Sequence, residues 1–462
     1  MGSRHSPVYV AHLVGSGVAQ AGVAGAQDGL GAVGHLELGE DGRDVVGDGL
    51  GAEAEPFGSS QSHHTIAEHP PAALPDEVWP DQSPFPASDT AVSSMRSDRG
   101  QGSVVIQGTV SFILSLMAQT CRVAHPTIHR GAGAPRSGTM KAIVQDRYGS
   151  ADVLELRDIA APVVGDADVL VRVLAAGCGP DIWHLMTGQP YLARLMVGFR
   201  KPKVGVRGWD VAGRVEAVGS GVTGFQPGDE VMGIVEGSFA ELAIARPDKL
   251  APKPARLTIE QAAAVPISGV TALQALRDKA GVQPGHKVLI IGAAGGVGSL
   301  AVQLAGAFGA EVTGVCSTAK MDLVRSIGAH RVIDYTREDF TDGQRRWEVI
   351  VDTAGRRPLA QLRRALTRTG TLVIVGGDGG GPWTGGFFRG VLRAPLLSVF
   401  VGQKLRGLNA RVNQEDLRTV GELIEAGKLT PVIDRTYPLV ETPEALRHLE
   451  RGHPGGKVII TI

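Results

Sequence analysis

Not one lysine occurs in residues 1–139 of this 462-residue chain, and seven arginines stand there against fourteen acidic residues. That stretch carries a formal charge of −7, while the remainder, with 39 Lys+Arg against 33 Asp+Glu, carries +6. The total of −1 averages two chemically unlike parts joined near Met140. Cysteine is scarce. Cys121, Cys178 and Cys316 are too few for a disulfide framework or a four-thiolate zinc site, and they suit a reducing, cytoplasmic setting. Long apolar runs are missing as well. The best window, 104–118, is interrupted by Gln107, Gly108, Thr109, Ser111 and Ser115, where a spanning helix needs ~20 apolar residues. The N-terminal apolar run is broken by glycine and followed by acids, unlike a secretory signal. No membrane partner is expected.

Aromatics are thin in residues 1–139, with only Tyr9, Phe57, Trp79, Phe85 and Phe112, while glycine and proline abound. Runs of Gly, Ala and Val there keep neither a 3.6 nor a 2 period, so the stretch buries too little apolar surface to offset its ordering entropy. His63, His64 and His69 have no Cys or carboxylate completing a metal-ligand spacing. A disordered or non-native leader is expected over 1–139. Because the lysine-free stretch ends at a methionine opening a clean strand, the native chain is expected to begin at Met140; a genuine disordered tail is the competing reading.

From Met140 the pattern changes. Residues 140–146 and 168–175 alternate with period 2, Val169, Val171 and Val173 sharing one face, and further short strands follow at 210–218 and 229–235. Strands without intervening helices imply a small antiparallel barrel or sandwich. At Thr258-Ile259-Glu260-Gln261 a capping box opens a helix. Strands and helices then alternate through 376, which builds a parallel sheet covered on both faces. Beyond 402 the chain returns to mixed structure, with a helix through Leu417, Val420 and Ile424 and a last strand from Lys457.

Gly292-Ala293-Ala294-Gly295-Gly296-Val297-Gly298 sits between a strand and a helix, the context a dinucleotide fingerprint requires. Its glycines permit a tight turn and close backbone approach, and the helix N-terminus faces a pyrophosphate. About 20 residues on, where an acid would hold the ribose 2′-hydroxyl of NAD, the chain reads Ser317-Thr318-Ala319-Lys320. Hydroxyls and a lysine there favour NADPH over NADH, although Ser317-Thr318 also reads as a helix cap.

Together, Gly208-Trp209-Asp210-Val211-Ala212-Gly213, Pro227-Gly228-Asp229, the segment 264–272, the glycine fingerprint, Val332-Ile333-Asp334-Tyr335 and Gly456-Lys457-Val458 resemble the medium-chain dehydrogenase/reductase superfamily over essentially all of 140–462. The resemblance implies an α/β fold in which a GroES-like antiparallel β-barrel (140–264 with 402–462) binds substrate and a Rossmann doubly wound domain (265–401) binds NAD(P). Zinc-dependent members supply three ligands. Cys178 matches the first, but the second position reads Trp209 and the third falls at Ile267-Ser268, so no metal is expected and Cys178 reads as a small buried apolar residue.

The sequence is therefore similar to the zinc-free quinone oxidoreductase branch, which includes enoyl reductase domains, and this implies hydride transfer from nicotinamide to a quinone, enone or related carbonyl. An NAD(P)-dependent alcohol dehydrogenase and an NADPH-binding protein without turnover are the alternatives. By the same resemblance Thr271 lies by the nicotinamide, and Gly292, Gly295, Gly296, Val297 and Gly298 lie under the pyrophosphate. Ser317, Lys320 and Tyr335 surround the adenosine end, and Gly376, Phe400, Val401, Gly456 and Lys457 complete the cleft. Taken singly, Tyr335 reads as strand packing, Phe400 as core and Lys457 as an exposed edge charge. The branch usually has an asparagine where this chain has Gly179. Asp181, His184 and Tyr191, placed in a loop after it, are the candidate proton donors. Arg194, Arg200, Lys201, Lys203 and Arg207 form a basic loop read as a solvated flap; without an aromatic-basic stripe, dedicated nucleic-acid binding is not expected. The expected partners are a small-molecule substrate and, from the family alone, a second copy.

Overall fold

The computed structural model describes residues 138–191, 194–376, 393–452 and 454–462. The expectations for the leader, its start and its histidines lie outside these residues. Seven short strands come first: β1 (Thr139–Gln145), β2 (Leu154–Ala160), β3 (Val169–Cys178), β4 (Asp210–Val218), β5 (Glu230–Ile234), β6 (Leu242–Ala245) and β7 (Leu250–Pro252). The period-2 pattern does what it implies, since Val169, Val171 and Val173 turn inward onto one buried cluster with Val211, Val215 and Val231. This part is not free of helices. Pro180–Thr187 forms α1, with proline in its first turn and Ile182 and Met186, four apart, pressed into the barrel core, so Asp181 and His184 stand on a helix and not in a loop.

The second sheet holds β8 (Lys287–Ile291), β9 (Glu311–Cys316), β10 (Arg331–Asp334), β11 (Trp347–Asp352), β12 (Leu366–Ile374) and β13 (Lys404–Gly407), and every pairing in it is parallel. Their spatial order, β10-β9-β8-β11-β12-β13, is the doubly wound order that reverses between the first and fourth strands. A ligand crevice follows at the carboxyl ends of β8 and β11. The return to the barrel, expected at 402, comes later, because residues 404–407 still pair with β12.

The last strands, β14 (Ile433–Pro438) and β15 (Lys457–Thr461), rejoin the first sheet, giving the order β14-β15-β3-β4-β5-β7 with β6 on β3. β15 runs antiparallel to β3 but parallel to β14, so the barrel is not wholly antiparallel. Thr258 caps the helix Ile259–Ala263 reciprocally with Gln261, as its spacing implies. The helix after it, Pro266–Leu273, is α2, and its buried face carries the chain from barrel to parallel sheet.

Candidate functional site

At the end of β8 the chain turns through Gly292, whose φ of +81° suits glycine, and its N–H donates to Val315 of β9 at 3.1 Å. Gly295 then caps the helix Gly296–Ala307 (α3). A Cβ on Gly298 would stand 2.0 Å from the Gly292 carbonyl oxygen, so only glycine lets this helix close on the turn. Thr353, just past β11, donates its hydroxyl to Ile291 at 2.8 Å and braces the turn from the far side of the crevice. Beside it, a Cβ on Gly376 would meet the Thr353 carbonyl oxygen at 2.0 Å. Thr271 lies buried on α2. The backbone is thus bare where a pyrophosphate would approach a helix N-terminus, and the cradle fits a dinucleotide.

At the other end of the crevice Ser317 precedes a single turn of helix, Thr318–Lys320, and Tyr335 follows β10 with its N–H bonded to the Cys316 carbonyl at 3.1 Å. Two acids not foreseen from sequence occupy this end. Thr318 donates its hydroxyl to Asp334, and Thr336 does so at 2.7 Å; these hydroxyls, Thr318 foremost, hold the Asp334 carboxyl below the usual carboxylate range. Lys320 lies 3.9 Å from Asp434, which also accepts the Gly455 N–H at 2.7 Å and bonds His448 Nε2 at 2.6 Å. Burial pushes Asp434 up, but the Gly455 amide, His448 and Lys320 outweigh it and leave the carboxyl lowered. These two acids come from strands other than the one that follows the glycine turn.

Where barrel and crevice meet, Lys457 of β15 and Asp210 of β4 form an ion pair of 2.7 Å with side chains 7% and 2% exposed. Lys457 is no edge charge. Asp210 also accepts the Ile267 N–H at 2.7 Å at the start of α2. A Cβ on Gly179 would lie 3.3 Å from the Lys457 ammonium and 2.5 Å from an Asp181 oxygen, so the absence of a side chain at Gly179 leaves room for both groups. The Lys457 stem packs along Gly296 of the glycine turn, whose Cβ position is 3.4 Å from Lys457 Cδ and 3.2 Å from Ser268 Oγ. Burial pushes Asp181 up, Lys457 pulls it down and Asp210 pushes it up again, for a net rise. Burial alone would depress Lys457, yet the Asp210 and Asp181 carboxylates outweigh it and raise its pKa. Burial pushes the Cys178 thiol up, which makes it inert.

The three candidate proton donors do not converge on one point. Asp181 faces Lys457, while His184 Nδ1 is 3.0 Å from the Gln189 carbonyl, and Tyr191 lies under the Arg194 guanidinium at 4.8 Å. Since a carbonyl only accepts, Nδ1 of His184 is the donor in this contact. Phe400 and Val401 do not lie in the cleft expected of them. They follow the helix Ala394–Ser398 and precede β13, beside Arg368 at the opposite end of the strands from Gly376, and Phe400 is 83% exposed. Among the described residues no three His, Cys, Asp or Glu side chains gather as a metal site.

Residues 165–255 match the alcohol dehydrogenase GroES-like domain family and residues 327–460 the zinc-binding dehydrogenase family. The chain is 31% identical over 408 residues to 2-methylene-furan-3-one reductase of Solanum lycopersicum, covering 85% of this chain and 95% of that protein. It is also 31% identical over 367 residues to the chloroplastic NADPH-dependent alkenal/one oxidoreductase of Arabidopsis thaliana, covering 76% of this chain and 87% of the relative. The solved quinone oxidoreductase of Coxiella burnetii superposes with a TM-score of 0.62 at 32% identity, over 70% of this chain and all of that one. The chain belongs to the medium-chain dehydrogenase/reductase superfamily, among its quinone and enone oxidoreductases.

Two outcomes are expected. Replacing Lys457 by Met strands a buried carboxylate and costs about 3–5 kcal/mol by urea unfolding, whereas Lys457→Met with Asp210→Asn recovers part of that loss. The raised Asp181 carboxyl makes the folded state hold a proton that the unfolded chain has released just above the ordinary carboxylate range. Stability falls as pH rises through that window, and urea midpoints of Asp181→Asn measured across it lack that decline.

Proposed function

We propose that this protein is an NADPH-preferring, zinc-independent reductase that adds hydride to the double bond of a quinone or enone. The observation that carries the reading is the buried Lys457 ammonium, paired with Asp210 and facing Asp181, which lies along the same glycine turn that cradles the dinucleotide. A fixed cation already stands beside Cys178, the one residue matching a zinc ligand, and Trp209 replaces the second ligand. The names of the relatives, one an NADPH-dependent alkenal/one oxidoreductase and one a quinone oxidoreductase, support the substrate class. A bound nicotinamide would supply the hydride.

The chain's own residues orient and exclude water. Gly292, Gly295, Gly296, Val297 and Gly298 offer bare backbone to the pyrophosphate, Thr271 borders the nicotinamide, and Gly376, Gly456 and Lys457 close the cleft. Ser317, Lys320 and Tyr335 receive the adenosine end, Lys320 being the one cation among them, and a 2′-phosphate would compete with Asp434 for it. Holding donor and acceptor in line contributes on the order of 7–11 kcal/mol to such a transfer, so little acid-base machinery is needed. The proton that completes reduction of an enone goes to the carbon beside the carbonyl, and His184 on α1 is the residue assigned to deliver it. Exposed Val399 and Phe400 beside edge strand β13 support a second copy as partner there, and the buried free thiols of Cys178 and Cys316 support a reducing, cytoplasmic setting.

After dialysis against a chelator the protein is expected to reduce a quinone or an alkenal with NADPH at an undiminished rate. Loss of turnover on chelation overturns zinc independence, and tight NADPH binding without turnover over a broad acceptor panel overturns the enzymatic reading. Lys320→Glu lowers kcat/KM for NADPH by about tenfold or more and leaves NADH little changed, as expected for removal of a charge-assisted phosphate contact. With an enone, His184→Ala lowers kcat, and an unchanged kcat rules the donor out.

A further inference from the structure

From Ile182 in α1 to Trp209 just before β4 the chain contains no acidic residue, and it carries five cations. Two of these are committed within the fold. Arg194 stacks over Tyr148 at 4.5 Å and donates to the Gly188 carbonyl at 2.9 Å, and Arg207 is buried. The other three, Arg200, Lys201 and Lys203, are exposed on one turn. That turn is firmly built. Gly198 takes a φ of +124°, with the Lys201 carbonyl oxygen 2.0 Å from where its Cβ would be; Lys203 N–H closes the turn onto Val197 at 2.9 Å; and Tyr148 donates its hydroxyl to the Gly198 carbonyl at 2.6 Å. The scaffold holds two large apolar side chains out in water beside the cations, Leu195 at 64% and Phe199 at 70% exposure.

Exposed apolar side chains in the same short segment as three exposed cations, without an anion near them in sequence, match the boundary between headgroups and acyl chains of an anionic bilayer. A second copy docked on this face would oppose like charges across a two-fold axis, which disfavours it. We propose that this turn docks the protein peripherally on anionic lipid surfaces, Leu195 and Phe199 entering the acyl boundary while Arg200, Lys201 and Lys203 meet lipid phosphates. The contact is monotopic. Among the described residues no helix is long and apolar enough to cross a membrane. The surface lies outside the dinucleotide crevice, so the docking stands or falls independently of the reductase reading.

The test is co-sedimentation of the full chain with vesicles of phosphatidylcholine alone and of phosphatidylcholine with phosphatidylglycerol in equal parts. Binding is expected only to the anionic vesicles and is released by high salt. Lys201→Glu with Lys203→Glu, both on exposed side chains, weakens partitioning by at least about 25-fold, at about fivefold per cation removed from an anionic surface. Leu195→Ser with Phe199→Ser also lowers binding, with turnover of a water-soluble quinone and the thermal melt unchanged. The proposal is overturned if the wild-type chain ignores anionic vesicles, if the charge-reversed variant binds as wild type, or if the serine variant changes the protein's mass in solution without vesicles, which would make this face an interface between copies.

Discussion

The ion pair between Lys457 and Asp210 is the contact on which the rest of the molecule is hung. It joins the last strand to β4, β4 to the first turn of α2 through the Ile267 amide, and all of these to the glycine turn against which the Lys457 stem lies. Removing two charges from water costs several kcal/mol per ion, and a hydrophobic pair of similar volume would be as stable or more so. What an ion pair adds is register, because a hydrophobic residue tolerates a slip that a 2.7 Å ammonium–carboxylate contact does not. A slip of one residue in β15 would turn Lys457 to the other face of the sheet and leave Asp210 buried without a cation. The closing strand of the barrel is therefore set by the same side chain that borders the dinucleotide cradle.

Steric exclusion does the rest of the positioning. Gly298 against the Gly292 carbonyl and Gly376 against Thr353 bring three backbone segments closer than any Cβ allows, at the switch point where β8 and β11 diverge. Gly177 and Gly179 do the same on the barrel side. A Cβ at Gly177 would meet Asp210 at 2.7 Å and the Ala263 carbonyl at 2.8 Å. Absence of side chains on both sides of the crevice makes room for the charged residues between them.

Patterns spanning ten or twenty residues could be read from sequence, and contacts between distant residues could not. The strand–turn–helix at 287–308, the valines of β3 and the capping box at Thr258 announce themselves through spacing alone. Helix α1 is legible in principle, since Ile182 and Met186 have helical spacing after a proline suited to a first turn, but at eight residues it is too short for that spacing to stand out from a loop. Lys457 looked like an edge charge because its partner stands far off in the chain. Phe400 and Val401 were assigned to the cleft from their place after the sheet strands. Only the parallel pairing of β12 with β13 reveals that they lie at the amino ends, where a doubly wound sheet binds nothing.

The charges around Gly179 account for the bare residue there. One ammonium and two carboxylates gather on the barrel side of the turn, and with both acids ionised the set is net negative in a place that water scarcely reaches. Burial favours the neutral count, which is reached when Asp181 takes a proton and Asp210 keeps Lys457; the upward shift of Asp181 is that preference expressed. An amide side chain at residue 179 would need the space held by the Lys457 ammonium and Asp181, and would break the count by pushing one of them toward water. The bare residue and the buried lysine thus belong to one solution, in which the positive charge bordering the cofactor turn is built into the chain and is held in place by the strand that closes the fold.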